Sequence, residues 1–399
     1  MRRRDRTDDE SRVTSDRKAG SNRLTDRLKD RAFALGFDLV GVTPVASPPH
    51  GQNYEDWVAR GFAGGMAYLA RNVDKRMHPD RILSGAKSLI AVAMNYRQPE
   101  TPSFTDDRPS GVVAQYARGT DYHDIMLGKL KSLLAFVQEQ AVGPVRGKAY
   151  VDTGPILERE FATLAGLGWY GKHTNLIHKR MGSWLLLGEI LVDVELAYDQ
   201  PATAHCGTCT RCIEACPTEA IVDPYVVDAR ACISYLTIEL KGSIPVRWRS
   251  EIGNRIFGCD DCQDVCPWNR RAPETREPAF LPRPNTRSLV DLMRMTPEDF
   301  RTQFKNSPIK RSKRRGFLRN VAVALGNSGD PRAVPALVDA LGDEEPLVRE
   351  HAAWALGRLG GTEAEQALGH ATKSELDPGV REAINRALDT KTEYEECRN

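Results

Sequence analysis

Residues 206–217 read Cys-Gly-Thr-Cys-Thr-Arg-Cys-Ile-Glu-Ala-Cys-Pro, and this stretch decides how the middle of the chain folds. Three cysteines separated by two residues on a tight loop can hold three irons of one cubane. The fourth cysteine, which precedes Pro217, turns away, and in two-cluster ferredoxins it serves the other cluster. A single zinc ion uses two cysteine pairs that lie further apart, so the spacing predicts iron–sulfur chemistry.

A second motif, Cys259-x2-Cys262-x3-Cys266-Pro267, is one thiol short because residue 256 is Ile. Cys232 supplies the missing thiol, and eight thiols make two [4Fe–4S] clusters. Exchange of the fourth ligand between the motifs predicts one cluster on Cys206, Cys209, Cys212 and Cys266, and the other on Cys216, Cys232, Cys259 and Cys262. Two adjacent clusters are typical of one-electron transfer; clusters kept for structure alone are the alternative.

The composition of the 399-residue chain predicts two or three domains with real cores, since 41% of residues are hydrophobic. A net charge of only +2 excludes a bulk polycation that grips nucleic acid by total charge, but not a local basic patch. Eight of the nine cysteines cluster between Cys206 and Cys266, which indicates ligation in a reducing compartment rather than a disulfide scaffold. The ninth, Cys397, is expected to be a bystander.

The first 22 residues are polar and charged, although the arginines at 2–4 resemble the start of an export signal. No apolar segment of the kind found in such signals follows them, and no run approaches the roughly 18 apolar residues of a membrane span. We therefore expect a disordered tail over 1–22 and a cytoplasmic protein without a membrane partner.

Strands that alternate with helices predict an α/β domain over residues 23–195. Its first helix carries Leu24, Leu28, Ala32 and Leu35 at helical spacing. Two further helices are predicted over 125–139 and 155–165, and three strands over 37–42, 89–94 and 184–192. A ferredoxin-like domain organised around its ligands is predicted over 196–285.

A weak repeat of 31 and 32 residues predicts a C-terminal helical domain over 286–399. Leu318-Arg319, Val348-Arg349 and Val380-Arg381 each open an Ala/Leu-rich stretch. Acidic residue–proline pairs, which are typical of helix starts, lie between these stretches at 330–331, 345–346 and 377–378. Paired helices of this period predict a HEAT-like α-solenoid, with an ordinary helical bundle as the alternative.

Two segments of the α/β domain are candidates for a ligand site. Asp152 follows a predicted strand, and ligands bind in the crevice at strand ends of open α/β sheets; a helix N-cap is an equal alternative. The glycine-rich loop 166–174 either cradles a cofactor or makes a tight turn. The segment 121–124 matches a cobalt-ligand motif only weakly, because residue 126 is Met, so His123 is interpreted as an ordinary polar residue.

A run of six cations without an acid stands out in this nearly neutral chain: Lys310, Arg311, Lys313, Arg314, Arg315 and Arg319. Such a stripe before a solenoid favours contacts with RNA phosphates, which position RNA without reading its sequence. The alternative is a solvated helix start.

These motifs together resemble the epoxyqueuosine reductase family over about residues 23–390. The residues that carry the resemblance are Val151-Asp152-Thr153 with Arg159, the loop 166–174, the two cysteine motifs with Gly258-Cys259-Asp260-Asp261-Cys262-Gln263, and the repeat. The resemblance implies an enzyme with two [4Fe–4S] clusters and cobalamin. It also implies that the enzyme removes the epoxide oxygen of epoxyqueuosine at the wobble position of tRNA.

The resemblance also implies roles for single residues. Asp152 matches the proton donor and Arg159 a contact to the modified base. Cobalamin contacts are implied for Arg76, Asp152, Lys172, His173, Ser183, Ser234, Asp260 and Asp261, and His173 stands where Asn is expected. The tRNA would meet Lys310, Arg311, Lys313, Arg314 and Arg315.

The chemistry sets a condition on Asp152. Deoxygenating an epoxide takes two electrons and two protons, and an ordinary aspartic acid, which titrates near 4, is ionised at pH 7. We therefore expect burial or a neighbouring negative charge to raise the pKa of Asp152.

Two other function classes remain as alternatives: a reductive dehalogenase, which also combines cobalamin with two clusters, and a ferredoxin-like electron carrier. No dinucleotide or P-loop motif supports a nucleotide site. A low-potential electron donor and a monomeric enzyme are expected.

Overall fold

The structure is a computed structural model that describes residues 7–99, 109–283 and 288–396. Cys397 and residues 1–6 lie outside the described residues. Within those described ranges, no helix combines the length and apolar character needed to cross a bilayer.

The first domain is built on a four-stranded sheet in the order β1-β2-β7-β4, with every neighbouring pair antiparallel. The described residues contain ten strands: β1 Leu39–Pro44, β2 Ser88–Asn95, β3 Val112–Val113, β4 Gly147–Tyr150, β5 Trp169–Tyr170, β6 Leu176–Ile177, β7 Leu185–Val192, β8 Ile221–Asp223, β9 Val226–Val227 and β10 Arg255–Phe257. The predicted strands are therefore confirmed to within two residues. Their alternation with helices does not produce a parallel sheet.

Helices cover both faces of this sheet. Those of the first domain are α1 Thr7–Ala34, α2 Gly51–Ala59, α3 Ala67–Ala70, α4 Val73–Met77, α5 Tyr122–Gln140 and α6 Glu158–Leu164. On the fully buried β2, Ile90 and Val92 pack with α1 and α5, whereas Leu89 and Ala91 pack with α6. Each large apolar side chain buried in this way contributes about 1.5–3 kcal/mol, so the alternation holds helices on both sides.

The first helix begins earlier than the sequence predicts. Helix α1 starts at Thr7, so the predicted disordered tail over 1–22 is replaced by helix from residue 7 onward. The stretch contains no proline and a single glycine, Gly20, and its Arg, Lys and Glu residues have good helix propensity. Polar composition alone therefore did not predict its conformation.

The cysteine-rich region consists of short elements between ligand loops. Its helices are α7 Arg211–Glu214, α8 Ile233–Ile238, α9 Val246–Arg249 and α10 Asp261–Asp264. The parallel pairing of β10 with β3 joins this region to the first domain. Four 3-10 turns lie in these two parts of the chain, at Pro79–Arg81, Gln115–Ala117, Pro267–Asn269 and Pro278–Phe280.

The C-terminal region is a stack of helices, as the repeat predicts. It comprises α11 Leu289–Met293, α12 Pro297–Gln303, α13 Lys313–Ser328, α14 Val334–Ala340, α15 Pro346–Leu359, α16 Thr362–Ser374 and α17 Pro378–Glu396, with 3-10 turns at Pro308–Ser312 and Pro331–Ala333. The prolines at 331, 346 and 378 each stand at the first position of a helix or 3-10 turn. Apolar faces of α13, α15 and α17 form one continuous core.

Candidate active site and cluster sites

Asp152 lies in the irregular segment between β4 and α6. Its backbone φ is +57°, in the left-handed region that few non-glycine residues adopt. The N-cap of α6 is Leu157, so the N-cap interpretation of Asp152 is wrong. The predicted helix begins at Glu158 rather than at residue 155, because the chain between Asp152 and Leu157 runs as a loop.

The carboxylate of Asp152 faces the start of α5. The hydroxyl of Tyr122 donates to Asp152 Oδ2 at 3.2 Å, and His123 Nε2 lies 3.5 Å from the same oxygen. His123 Nδ1 is 2.7 Å from Asp121 Oδ1, and Asp121 caps the N-terminus of α5. Half of the Asp152 side chain, 51%, is exposed, so the group is open to a ligand while protein surrounds its other side.

The protonation of this cluster differs from the sequence-based expectation. Burial alone raises the pKa of Asp152, but hydrogen bonding and charge from His123, followed by the charge of Arg311, lower it overall. Burial lowers the pKa of His123, yet Asp121 and Asp152 raise it to about 9. The expected rise for Asp152 is therefore wrong, because an imidazolium beside the carboxylate outweighs its burial. At pH 7 the proton is held by His123.

Two further carboxyl groups lie behind Asp152. The backbone N–H of Asp152 donates to Glu158 Oε1 at 2.7 Å. Glu158 interacts electrostatically with Glu189, which is fully buried on β7. Burial raises the pKa of Glu158 to about 7 and that of Glu189 well above its ordinary value.

Arg159 projects from the first turn of α6 toward the glycine-rich loop. Its guanidinium donates to the carbonyl of Thr174 at 2.5 Å and lies 6.0 Å from the centre of the Tyr170 ring. The loop itself is a β5–β6 hairpin, and a Cβ at Gly168 would lie 2.3 Å from the Ile177 carbonyl oxygen. The tight-turn alternative thus accounts for that glycine.

A row of buried aromatic rings links Asp152 to the second cysteine motif. The Tyr122 and Tyr116 ring centres are 6.1 Å apart, and those of Tyr116 and Tyr96 are 6.5 Å apart. The Tyr96 hydroxyl donates to Gln263 Oε1 at 3.2 Å, next to Cys262. The candidate catalytic group and the cluster ligands therefore adjoin one continuous aromatic wall.

Among the thiols whose pKa is shifted, the cysteines that raise it belong to the same predicted set. Burial, and then proximity to Cys266, Cys206 and Cys209, raises the pKa of Cys212 to about 11. In the other set, burial and then Cys232, Cys259 and Cys216 raise the pKa of Cys262 well above its ordinary value. Cys232, distant in sequence from both motifs, thus acts electrostatically on Cys259 and Cys262 of the set that it is predicted to complete. All eight are free cysteines, as ligands must be.

Three predicted cofactor contacts lie around the hairpin. Lys172 donates to the carbonyls of Gly207 and Cys209, so its ammonium holds the first cysteine loop. Ser183 is buried and hydrogen-bonded to Gln263 and Asn269. His173 is also buried; its Nδ1 accepts the Asn175 N–H at 3.2 Å, whereas its Nε2 has no protein partner within the described residues.

The other four predicted contacts are dispersed. Burial raises the pKa of Cys232, and Ser234 beside it partly offsets that rise. Asp261 forms a two-pronged ion pair with Arg255. Asp260 accepts the Gln115 N–H at 2.7 Å, and burial raises its pKa to about 7. Arg76 is buried against Tyr54 and donates to the Arg71 carbonyl.

The basic run divides into inward and outward cations. Arg319 is fully buried and donates to the carbonyls of Leu236, Leu240 and Gly242. Arg314 is 16% exposed and paired with Asp343. These two arginines hold the helical region together, so their assignment to an RNA-binding stripe is wrong.

The remaining cations of the run are more open. Lys310 lies 3.7 Å from Asp121, and Arg311 pairs with Glu239 at 2.5 Å beside Tyr68. Both border the Asp152 cluster. Lys313 is exposed, and Arg315 is 42% exposed with a distant partner at 3.8 Å.

Sequence reasoning missed several members of the Asp152 cluster. Tyr122 and Asp121 were quoted only as part of a weak motif, and Glu158 only as part of a segment. Glu189 had a readable signal, because it is the single charged residue in the apolar strand Leu-Leu-Leu-Gly-Glu-Ile-Leu-Val. No local pattern joined these segments, which lie far apart along the chain.

Three protein-family models match the chain. They are the epoxyqueuosine reductase model over residues 76–153, the 4Fe-4S double-cluster-binding domain over 205–269 and HEAT repeats over 310–389. The epoxyqueuosine reductase of Xanthomonas campestris is 44% identical over 340 residues, which cover 84% of this chain and 96% of that one.

Two solved structures are similar along most of the chain. A crystal structure of epoxyqueuosine reductase with an epoxyqueuosine-modified tRNA-Tyr stem loop has a TM-score of 0.87 and 30% identity, covering 92% of this chain and 98% of that one. The Bacillus subtilis enzyme, with its catalytic aspartate loop swung out of the active site, has a TM-score of 0.85 and 29% identity at the same coverage.

Proposed function

The chain belongs to the epoxyqueuosine reductase family, and on that premise we propose how its own residues carry out the reaction. It reduces epoxyqueuosine to queuosine at the wobble position of tRNA anticodons. The epoxide accepts two electrons and two protons, both carbon–oxygen bonds break, an alkene forms and the oxygen leaves as water. The assignment of roles rests on the half-exposed Asp152 with Asp121, Tyr122 and His123, together called the Asp152 cleft. This acid–base cluster adjoins a row of aromatic rings that leads to Gln263 beside Cys262.

The two thiol sets hold two [4Fe–4S] clusters, which supply electrons one at a time when bound. We assign Cys206, Cys209, Cys212 and Cys266 to one cluster and Cys216, Cys232, Cys259 and Cys262 to the other. Ser234 favours the thiolate form of Cys232, which a ligand must adopt, against the effect of burial. A low-potential donor would reduce the clusters.

Cobalamin is the group proposed for the space between the clusters and Asp152. The buried, unpartnered Nε2 of His173 fits a large polar ligand, because its Nδ1 already accepts a hydrogen bond and the neutral ring therefore carries its hydrogen on Nε2. Lys172, Ser183, Asp260, Asp261 and Arg76 would act mainly by holding the surrounding loops, since their polar groups already bond within the protein. When bound, cobalamin would supply a strongly reducing metal centre beside the epoxide.

Proton delivery is assigned to Asp152 together with His123. Asp152 faces the opening, whereas His123 holds the proton at neutral pH. We propose that a proton from this pair reaches the departing oxygen through Asp152, and that Tyr122 orients the carboxylate.

Arg159 is assigned to the substrate. It lies in the first turn of α6 beside the Tyr170 ring, where a planar cation and an aromatic face suit a flipped-out base.

The tRNA surface is proposed on the outward part of the basic run. Lys310 and Arg311 border the cleft and would meet phosphates near the modified nucleotide. Lys313 and Arg315 would meet the backbone further out. A monomer in the cytoplasm, where tRNA is modified, is in keeping with this arrangement.

The assignment is tested first by binding. Adding cobalamin to the purified, cluster-containing protein should change the visible spectrum of the corrin with saturable stoichiometry. An unchanged spectrum under reducing conditions would exclude the cofactor. Turnover of a halogenated aromatic instead of epoxyqueuosine-tRNA would favour a dehalogenase, and electron exchange without turnover of either would favour a carrier.

The role of Asp152 is tested by Asp152→Asn, which keeps the Tyr122 contact but cannot transfer a proton. We expect turnover to fall by about 10²–10⁴-fold with unchanged cluster and corrin spectra. Full turnover by this variant would refute the assignment.

A further inference from the structure

A buried carboxyl group lies behind the Asp152 loop without a role in the chemistry described above. Glu189 is 0% exposed and stands on β7 directly opposite Tyr150 of β4. Its neighbours at alternate positions, Leu187 and Leu191, pack with α6, so its side chain points to the α6 side of the sheet. Neither of its carboxylate oxygens receives a hydrogen bond from a donor in the described residues. Such a group is too costly to keep as an isolated charge.

Glu158, at the first position of α6, is the group that approaches it. The two carboxyl groups are close enough for each to shift the pKa of the other, and an ionised carboxylate can only accept hydrogen bonds. A contact between them therefore needs a proton, which the buried Glu189 retains. Protonated Glu189 then donates to Glu158 and holds the Glu158 carboxylate in one orientation.

The Glu158 carboxylate also accepts a hydrogen bond from the Asp152 backbone. Glu158 Oε1 accepts the backbone N–H of Asp152 at 2.7 Å, which closes the loop from Asp152 to Glu158. Asp152 has a φ of +57°, a conformation that costs a non-glycine residue about 1 kcal/mol or more unless its surroundings hold it. The hydrogen bond that Asp152 donates to Glu158 is thus placed at the strained position of the loop.

We propose that Glu158, braced by the buried Glu189, is a positioning residue that latches the Asp152 loop in its substrate-facing conformation. The inference rests on the proposed role of Asp152 but concerns a different property, the placement of the loop backbone. Glu158 does not touch the reacting atoms; it acts through the Asp152 amide.

The test compares three variants of the cluster-containing enzyme by hydrogen exchange and by steady-state turnover of epoxyqueuosine-tRNA. Glu158→Ala removes the acceptor, whereas Glu158→Gln keeps an acceptor oxygen and offers an N–H to Glu189. The matched control is Glu160→Ala on the same helix, because Glu160 contacts His50 instead.

Loss of a hydrogen bond to a charged acceptor is expected to speed amide exchange in the segment 150–157 by about tenfold or more in Glu158→Ala. Its kcat should fall by a similar factor while KM stays nearly constant, because the substrate-binding residues remain. Glu158→Gln should recover about half of the lost free energy and so show a clearly smaller defect than Glu158→Ala in both quantities, since a neutral acceptor makes a weaker bond than a charged one. Glu160→Ala should change neither.

Parental exchange in Glu158→Ala would overturn the latch. Faster exchange with unchanged kcat would also overturn it, because placement of the loop would then not matter for turnover. Equal defects in the Ala and Gln variants would refute the acceptor role. A failure of the proposed function looks different: Asp152→Asn would keep full turnover while Glu158→Ala still accelerated exchange.

Discussion

The cysteine region and the Asp152 cleft reach function by opposite routes. Seven of the eight cluster thiols lie in two short motifs, at 206–216 and 259–266, whose spacing alone encodes the ligand geometry. The cleft instead collects groups from the start of α5, the loop after β4, strand β7 and the 3-10 turn at Pro308–Ser312. The first site can be read along the chain, and the second exists only after folding.

The first prediction has the largest expected effect and concerns Cys232, the one predicted cluster ligand that lies outside the two short motifs. Cys232 lies apart from both motifs, so Cys232→Ala should remove a single ligand of one cluster and reduce bound iron from about eight atoms per chain toward about four. Turnover should be abolished, because the route for electrons is cut. Iron analysis and electron paramagnetic resonance measure the outcome.

Cys397→Ala is the matched control for that experiment, since this residue belongs to neither motif and lies outside the described residues. It should retain the full iron content. Full iron content in Cys232→Ala as well would mean that another group supplies the eighth ligand.

The difference between the two regions explains what could be predicted. The strands and the repeat helices follow from hydrophobic pattern and period, and these predictions agree with the structure. The cluster ligands follow from cysteine spacing and stay a prediction. Asp152 was singled out because it ends a strand, although that argument belongs to parallel sheets and this sheet is antiparallel. The predicted rise in the pKa of Asp152 was wrong because His123, which lowers that pKa, comes from a segment about thirty residues away. Charge on a buried neighbour has no signature in a local sequence pattern.

The basic run also shows that a local sequence pattern does not reveal which side chains are exposed. Six cations within ten residues look like one surface, yet Arg319 is fully buried and Arg314 is 16% exposed. A helix distributes adjacent residues over all its faces, so a charge run on α13 cannot all face solvent. Only the packing partners reveal which cations stabilise the fold.

The second prediction, on the protonation of the cleft, concerns His123→Asn. In the parent enzyme the raised pKa of His123, about 9, keeps its proton across the physiological range. The ion pair with Asp121 and Asp152 stabilises the fold fully below the ordinary histidine value near 6.5, and this contribution is lost as pH rises through about 9. Turnover should likewise decline above pH 9.

Removal of the imidazolium leaves Asp152 without its proton source. We expect His123→Asn to lose about 10²-fold in kcat at pH 8 and to lose the decline near pH 9, which pH–rate profiles measure. A parental profile would show that the proton comes from elsewhere and that the cleft works through Asp152 alone.

The third prediction separates structural from surface cations in the basic run. Arg314→Ala breaks a largely buried pair with Asp343 and should cost about 3 kcal/mol in free energy of unfolding. Arg315→Ala breaks only an exposed 3.8 Å contact and should cost less than about 0.5 kcal/mol. Urea denaturation of both variants provides the comparison, and equal losses would contradict the division.

The last prediction has the smallest expected effect and tests whether the exposed cations Lys313 and Arg315 contact tRNA phosphates. If Lys313 and Arg315 each meet one phosphate, replacing either by Ala should lower the salt dependence of tRNA binding by about one unit of slope in log K against log salt. Their kcat at saturating tRNA should stay near the parent value, because neither residue contacts the Asp152 cluster. Binding with an unchanged slope would leave the cations at the cleft mouth, Lys310 and Arg311, as the ones that face the tRNA backbone. Since Lys310 lies 3.7 Å from Asp121, tRNA binding would then act directly on the charges that hold the catalytic proton.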